Sequence, residues 1–102
     1  MTDVTVTRTL DEALETVWAR IGDWTNPSWL PGVTLVSTDG PVRVLSVPPD
    51  VTLTETLVAK TDSSMTYTTA DHPLPITDYR ATLSAHQQEG GTLVRWHVAF
   101  TP

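Results

Sequence analysis

The sequence predicts an α+β domain dominated by a curved antiparallel sheet of about seven strands, with one or two short helices between the first strand and the second. Three observations carry this. Nineteen threonines and twelve valines in 102 residues are a heavy load of β-branched side chains, whose stiffness at χ1 suits a pleated surface better than a helix. Period-two alternation recurs along most of the chain between clusters of Gly, Pro and Asp. Only one stretch changes to a helical period. The length and the 39% hydrophobic content fit a single domain over residues 1–102.

Val4, Val6 and Leu10 alternate with Thr5, Thr7 and Thr9 and form the first strand, although Arg8 interrupts the apolar side. From Asp11 the spacing changes: Leu14, Val17, Trp18 and Ile21 fall at i, i+3, i+4 and i+7. Asp11, Glu12 and Glu15 sit near the start of this helix, where its dipole favours negative charge. The helix ends near Gly22. The segment from Asp23 to Gly32, with Trp24, Trp29, Pro27 and Pro31, has room for one further helical turn opened by Pro27. Strands then follow over 33–38, 42–47, 51–60, 64–70, 78–88 and 92–100, joined through Asp39-Gly40-Pro41, Pro48-Pro49-Asp50, Asp71-His72-Pro73-Leu74-Pro75 and Gly90-Gly91.

Alternation also assigns faces. In 51–60 the odd positions Val51, Leu53, Leu57 and Ala59 are apolar and Thr52, Thr54 and Thr56 are polar, so the odd face belongs to the core. Glu55 lies on that odd face. With Pro48-Pro49-Asp50 as a three-residue loop, Val47 pairs with Val51, Leu45 with Leu53, and Arg43 falls opposite Glu55. With Gly90-Gly91 as a two-residue turn, Ala85 faces Trp96, Leu83 faces Val98 and Ala81 faces Phe100.

A carboxylate among apolar side chains costs several kcal/mol unless it is paired, hydrogen-bonded or protonated. Glu55 therefore allows three readings: a structural pair with Arg43, a polar anchor for a ligand in a pocket, or a group that transfers protons. Tyr67 and Tyr79 are inward residues with polar tips that need partners, and Trp29 and Trp96 are candidate stacking surfaces. His72, in its Pro-flanked loop, is either turn surface or part of a lid.

The composition excludes several functions. Twelve acidic and six basic side chains give a net charge of −6. The basic residues are scattered, which argues against nucleic acid or an anionic membrane as partner. The absence of cysteine removes disulfides, thiolate metal sites and thiol catalysis. The longest apolar runs are three residues, as in Val17-Trp18-Ala19, so neither a membrane-spanning helix nor an export signal is visible and a cytoplasmic location is expected. His72, His86 and His97 lack metal-type spacing, with His86 and His97 facing outward, and no phosphate, dinucleotide or nucleophile-elbow motif is present, so neither a metal nor a cofactor is expected.

Several of these pieces occur in a recognisable order: Val17-Trp18 with Ile21-Gly22-Asp23-Trp24, Trp29-Leu30-Pro31-Gly32-Val33, Gly40-Pro41-Val42-Arg43, Thr54-Glu55-Thr56-Leu57, Pro73-Leu74-Pro75 leading to Tyr79, and Gly91-Thr92-Leu93-Val94-Arg95-Trp96. Together they resemble the START-like, helix-grip superfamily (SRPBCC), especially its polyketide cyclase/dehydrase and lipid-transport branch, over nearly the whole chain. The resemblance implies a sheet curled around an apolar cavity for a lipid- or polyketide-like molecule. It implies that Glu55 and Tyr79 reach the ligand's polar groups; with the face assignments above, the expectation is a cavity walled by Leu53, Leu57, Tyr67, Tyr79 and Trp96, with Trp29 as a further contact and Glu55 and Arg43 as the polar anchor. It also implies two lid loops, at Pro48-Pro49 and around His72 and Leu74.

One departure stands out. The long C-terminal helix that closes the cavity in this superfamily has no counterpart in the sequence, so the expectation is either a chain truncated at its C-terminus or a second copy covering the open sheet face. Three functions stay open: binding of a small hydrophobic molecule, a cyclase or dehydratase using Glu55 as acid or base with help from Tyr79, and an assembly domain that pairs through that face.

Overall fold

In the computed structural model, which describes residues 2–27, 29–30, 32–48, 50–70 and 77–102, seven strands form one antiparallel sheet in the order β1-β7-β6-β5-β4-β3-β2. The strands are β1 (Thr2–Leu10), β2 (Thr34–Asp39), β3 (Val42–Val47), β4 (Val51–Lys60), β5 (Ser64–Ala70), β6 (Thr77–Gln88) and β7 (Gly91–Thr101), with α1 (Leu14–Ile21) following β1. Each strand from β2 to β6 pairs with the next in sequence, and β1 pairs with β7 as the edge opposite β2. The expected helix-grip α+β architecture is present with one helix. The stretch after α1 makes single turns, Asn26 N to Asp23 O and Leu30 N to Pro27 O, and contains no second helix among the described residues.

α1 is seated by its apolar stripe. Val17 and Ile21 are buried against Met65, Tyr67, Leu83 and Val98 of the sheet. Ala13 at its N-cap has no side chain to offer, and the first helical N–H, that of Leu14, donates to Gln87 Oε1 of β6 instead (3.3 Å). Thr92 Oγ1 donates to Glu12 O (2.7 Å), tying the linker before the helix to β7. At the C-terminal end, Gly22 N donates to Trp18 O (2.9 Å). Any side chain at Gly22 would overlap the Trp18 indole.

Register explains what faces inward. The β3–β4 pairing is the one expected, with Val47 opposite Val51, Leu45 opposite Leu53 and Arg43 opposite Glu55. The β6–β7 pairing differs by two residues: Leu83 faces Trp96, Ala81 faces Val98 and Ala85 faces Val94, with Glu89-Gly90 as the turn. The reason lies at Gly91. A Cβ there would run into the Leu10 carbonyl, so this glycine serves close approach to β1 and leaves the turn to Gly90, whose φ is +83°. A shift of two preserves every face. Ala59 is also corrected: a bulge between Leu57 and Ala59 breaks the alternation at the exposed Val58 and leaves Ala59 exposed.

Candidate functional site

The inward face of the sheet bounds a cavity of about 560 Å³, within the 300–1,000 Å³ range of small-molecule sites. Its apolar wall includes Leu45, Leu53, Met65, Leu83, Val94 and Trp96, and Ile21, Trp29 and Leu30 close it from the helical side. Toward β1 it opens to solvent, where the lining Val6 is 54% exposed.

At the deep end lies the ion pair. Arg43 and Glu55 are 3% and 6% exposed. Both arginine contacts fall on one carboxylate oxygen: Nε donates to Oε1 at 2.8 Å and Nη2 reaches the same atom at 2.7 Å. Nη1 donates to the Trp24 carbonyl (3.0 Å). The guanidinium also lies 3.7 Å from the Trp24 ring centroid and 5.6 Å from that of Tyr67, a cation–π arrangement sheltered from water. Trp24 and Tyr67 meet with centroids 5.6 Å apart, and Trp96 Nε1 donates to the Tyr67 hydroxyl (3.0 Å). Arginine suits this position because its planar fork can serve two acceptors while its face stacks on an indole. The Trp24 indole N–H is buried and has no acceptor among the described residues.

Burial raises the Glu55 carboxyl above its ordinary 4.5, although the charge of Arg43 and its hydrogen bond act in the other direction. The Tyr67 hydroxyl is pushed up to about 12, first by burial and then by the negative charge of Glu55, with Trp96 and Arg43 opposing. The Tyr79 hydroxyl is also raised, by burial and then by Tyr67 and Glu55. Both phenols are therefore neutral at physiological pH. Tyr79 lines the cavity and can present an O–H to a ligand.

The structure gathers Arg43, Leu53, Glu55, Tyr67, Tyr79, Trp96 and Trp29 around one cavity. Leu57 is placed differently: it packs on the core cluster and is not part of the lining. Pro48 is exposed in the β3–β4 turn, close to Gly32, whereas Pro49, His72 and Leu74 lie outside the described residues. Sequence reasoning missed Trp24 as the support of Arg43, and Met65 and Leu83 as lining. The last two share the period-two face of Tyr67 and Ala81, so the signal was present. Among the described residues no cluster of His, Cys, Asp or Glu is arranged to hold a metal ion, and no helix is long and apolar enough to cross a membrane.

A single short helix laid on an open seven-stranded antiparallel sheet over an apolar cavity is consistent with the helix-grip α+β arrangement of SRPBCC-type domains, without the long C-terminal helix among the described residues. The chain belongs to the polyketide cyclase/dehydrase and lipid-transport family, whose model matches residues 1–102. Among solved structures it is similar to XoxI from Bacillus cereus, at 31% identity and a TM-score of 0.92 over 100% of this chain and 77% of that one. It is similar as well to an uncharacterized protein from Bacillus thuringiensis, at 30% identity and a TM-score of 0.90 over 99% and 79%. The di-domain aromatase/cyclase StfQ of the steffimycin biosynthetic pathway shares the fold, with a TM-score of 0.73 at 11% identity over 97% of this chain and 36% of that one. No curated protein matches.

Proposed function

We propose that this chain binds a small, mainly apolar molecule in the cavity on the concave face of the sheet, with the ligand's polar end toward Tyr79 and the Glu55–Arg43 pair. The observation that carries the reading is a polar cluster held rigidly at the end of an otherwise apolar cavity of about 560 Å³. Apolar burial supplies affinity at about 25 cal/mol per Å² before entropy losses. The cluster supplies orientation. Membership of a family described by polyketide cyclisation and lipid transport supports the same use of the cavity.

A cyclase or dehydratase role is the second reading, favoured by one arrangement: a buried carboxyl, Glu55, held above its ordinary value by desolvation, lines the same cavity as the neutral hydroxyl of Tyr79, a pairing that suits acid–base work. Against it, Arg43 engages the same carboxylate through two donors, which suits a fixed anchor better than a group that exchanges its proton.

Titration of a hydrophobic fluorescent probe, together with native mass spectrometry of the purified chain, tests both readings. Saturable one-to-one binding that weakens in Leu53→Trp, where the new ring fills the cavity, supports the binding role. An unchanged titration in Leu53→Trp and Glu55→Gln alike overturns it. Conversion of an added polyketide-like substrate by the wild-type chain but not by Glu55→Gln would establish the enzymatic reading.

A further inference from the structure

Three arginines line the cavity, and two of them have carboxylate partners. Arg43 is held by Glu55 in the depth, and Arg20 pairs with Glu12 at 3.0 Å on the surface. The third, Arg8, lies on the inward face of β1 between Val6 and Leu10, opposite Val94 of β7. Among the described residues it has no acidic partner. In a chain of net charge −6, an unpaired cation on the apolar side of a strand is an exception to that strand's own pattern. It stands at the open end of the cavity, where Val6 is exposed.

The two ends of the cavity therefore differ in charge. In the depth each of the three Arg43 side-chain nitrogens already has a partner, one guanidinium face is covered by Trp24, and its charge is matched by Glu55. The negative charge of Glu55 is felt at Tyr67 and Tyr79 and disfavours a second anion. At the mouth the balance is reversed. Arg8 offers a planar set of donors matched to a carboxylate or phosphate.

Building on the ligand-binding reading above, we infer that the ligand is an amphiphile carrying one anionic group, carboxylate or phosphate, held by Arg8 at the mouth, with its apolar body along Val6, Val94 and Trp96 and its uncharged end toward Tyr79. The cavity then selects orientation as well as hydrophobicity.

The test uses 11-(dansylamino)undecanoic acid and its methyl ester, titrated into the wild-type chain, Arg8→Gln, and Arg95→Gln as an exposed control on the outer face of β7. The acid is expected to bind the wild type about tenfold more tightly than the ester, as for one charge-assisted contact near the surface. That preference should shrink as salt is added, disappear in Arg8→Gln through weaker acid binding alone, and persist in Arg95→Gln. Displacement of the bound acid by dodecanoate or by dodecyl phosphate identifies which anion fits better. Equal binding of acid and ester by the wild type overturns the anionic assignment and leaves the cavity reading standing. A preference that survives in Arg8→Gln overturns the role of Arg8, and failure of both probes to bind overturns the cavity reading and this inference together.

Discussion

The concave face of the sheet has two halves that share strand chemistry and differ in what covers them. Under α1 and Trp24 the inward side chains of β3, β5 and β6 are sealed: Arg43, Leu45, Met65, Tyr67 and Leu83 are all buried. On β1 the inward Val4 and Val6 remain 46% and 54% exposed. Alternation made both halves apolar and both line the cavity; cover alone separates the sealed part of its wall from the open part. The charged groups follow the same division. In the sealed half an arginine is fixed by a carboxylate, a carbonyl and two rings, and in the open half Arg8 stands without an acidic partner among the described residues.

The contrast makes graded predictions. Arg43→Met, which strands the Glu55 carboxyl and frees the Trp24 carbonyl, should cost about 3–5 kcal/mol in urea unfolding, the usual penalty for breaking a buried pair from one side. A smaller loss would mean that the sealed half admits water. Met65→Ala, in the same half, should cost about 2–5 kcal/mol through lost burial and the void left behind.

The third prediction concerns pH. Because the folded chain holds the Glu55 proton more tightly than the unfolded chain does, the protonated Glu55 carboxyl contributes stability that is complete below pH 4.5 and declines as pH rises through the folded-state value. Relative to Glu55→Gln, the wild type should therefore lose stability as pH rises from 4.5 toward neutrality. The opposite slope would mean that Arg43 outweighs burial. Smallest is Val6→Ala in the open half, expected to move stability by no more than about 0.5 kcal/mol. A larger loss would show that this wall is covered in solution.

Much of this was legible in the sequence, for identifiable reasons. The β3–β4 register followed from two apolar alternations meeting at a Pro-Pro-Asp loop, and it placed Arg43 opposite Glu55 before any coordinates were needed. The β6–β7 register did not follow, because Gly91 is required by a neighbour distant in sequence, the Leu10 carbonyl, rather than by its own turn. Ala59 was misplaced because a bulge leaves no mark in a periodic pattern. Trp24 stood out as an aromatic residue in a loop, but its role depends on where that loop folds over β3 and β5, which no local spacing encodes. Arg8 was visible as a break in alternation; its meaning required knowing that the cavity opens beside it.

The closure of β1 on β7 also bears on how the molecule forms. Six strands can assemble from neighbour to neighbour as hairpins, each with a short search for its mate. Thr2 to Leu10 must wait for Gly91 to Thr101, and such distant pairing is slow to reach. Until then the unpaired backbone edge belongs to β7 rather than to β1, and such an edge is a place for aggregation to begin.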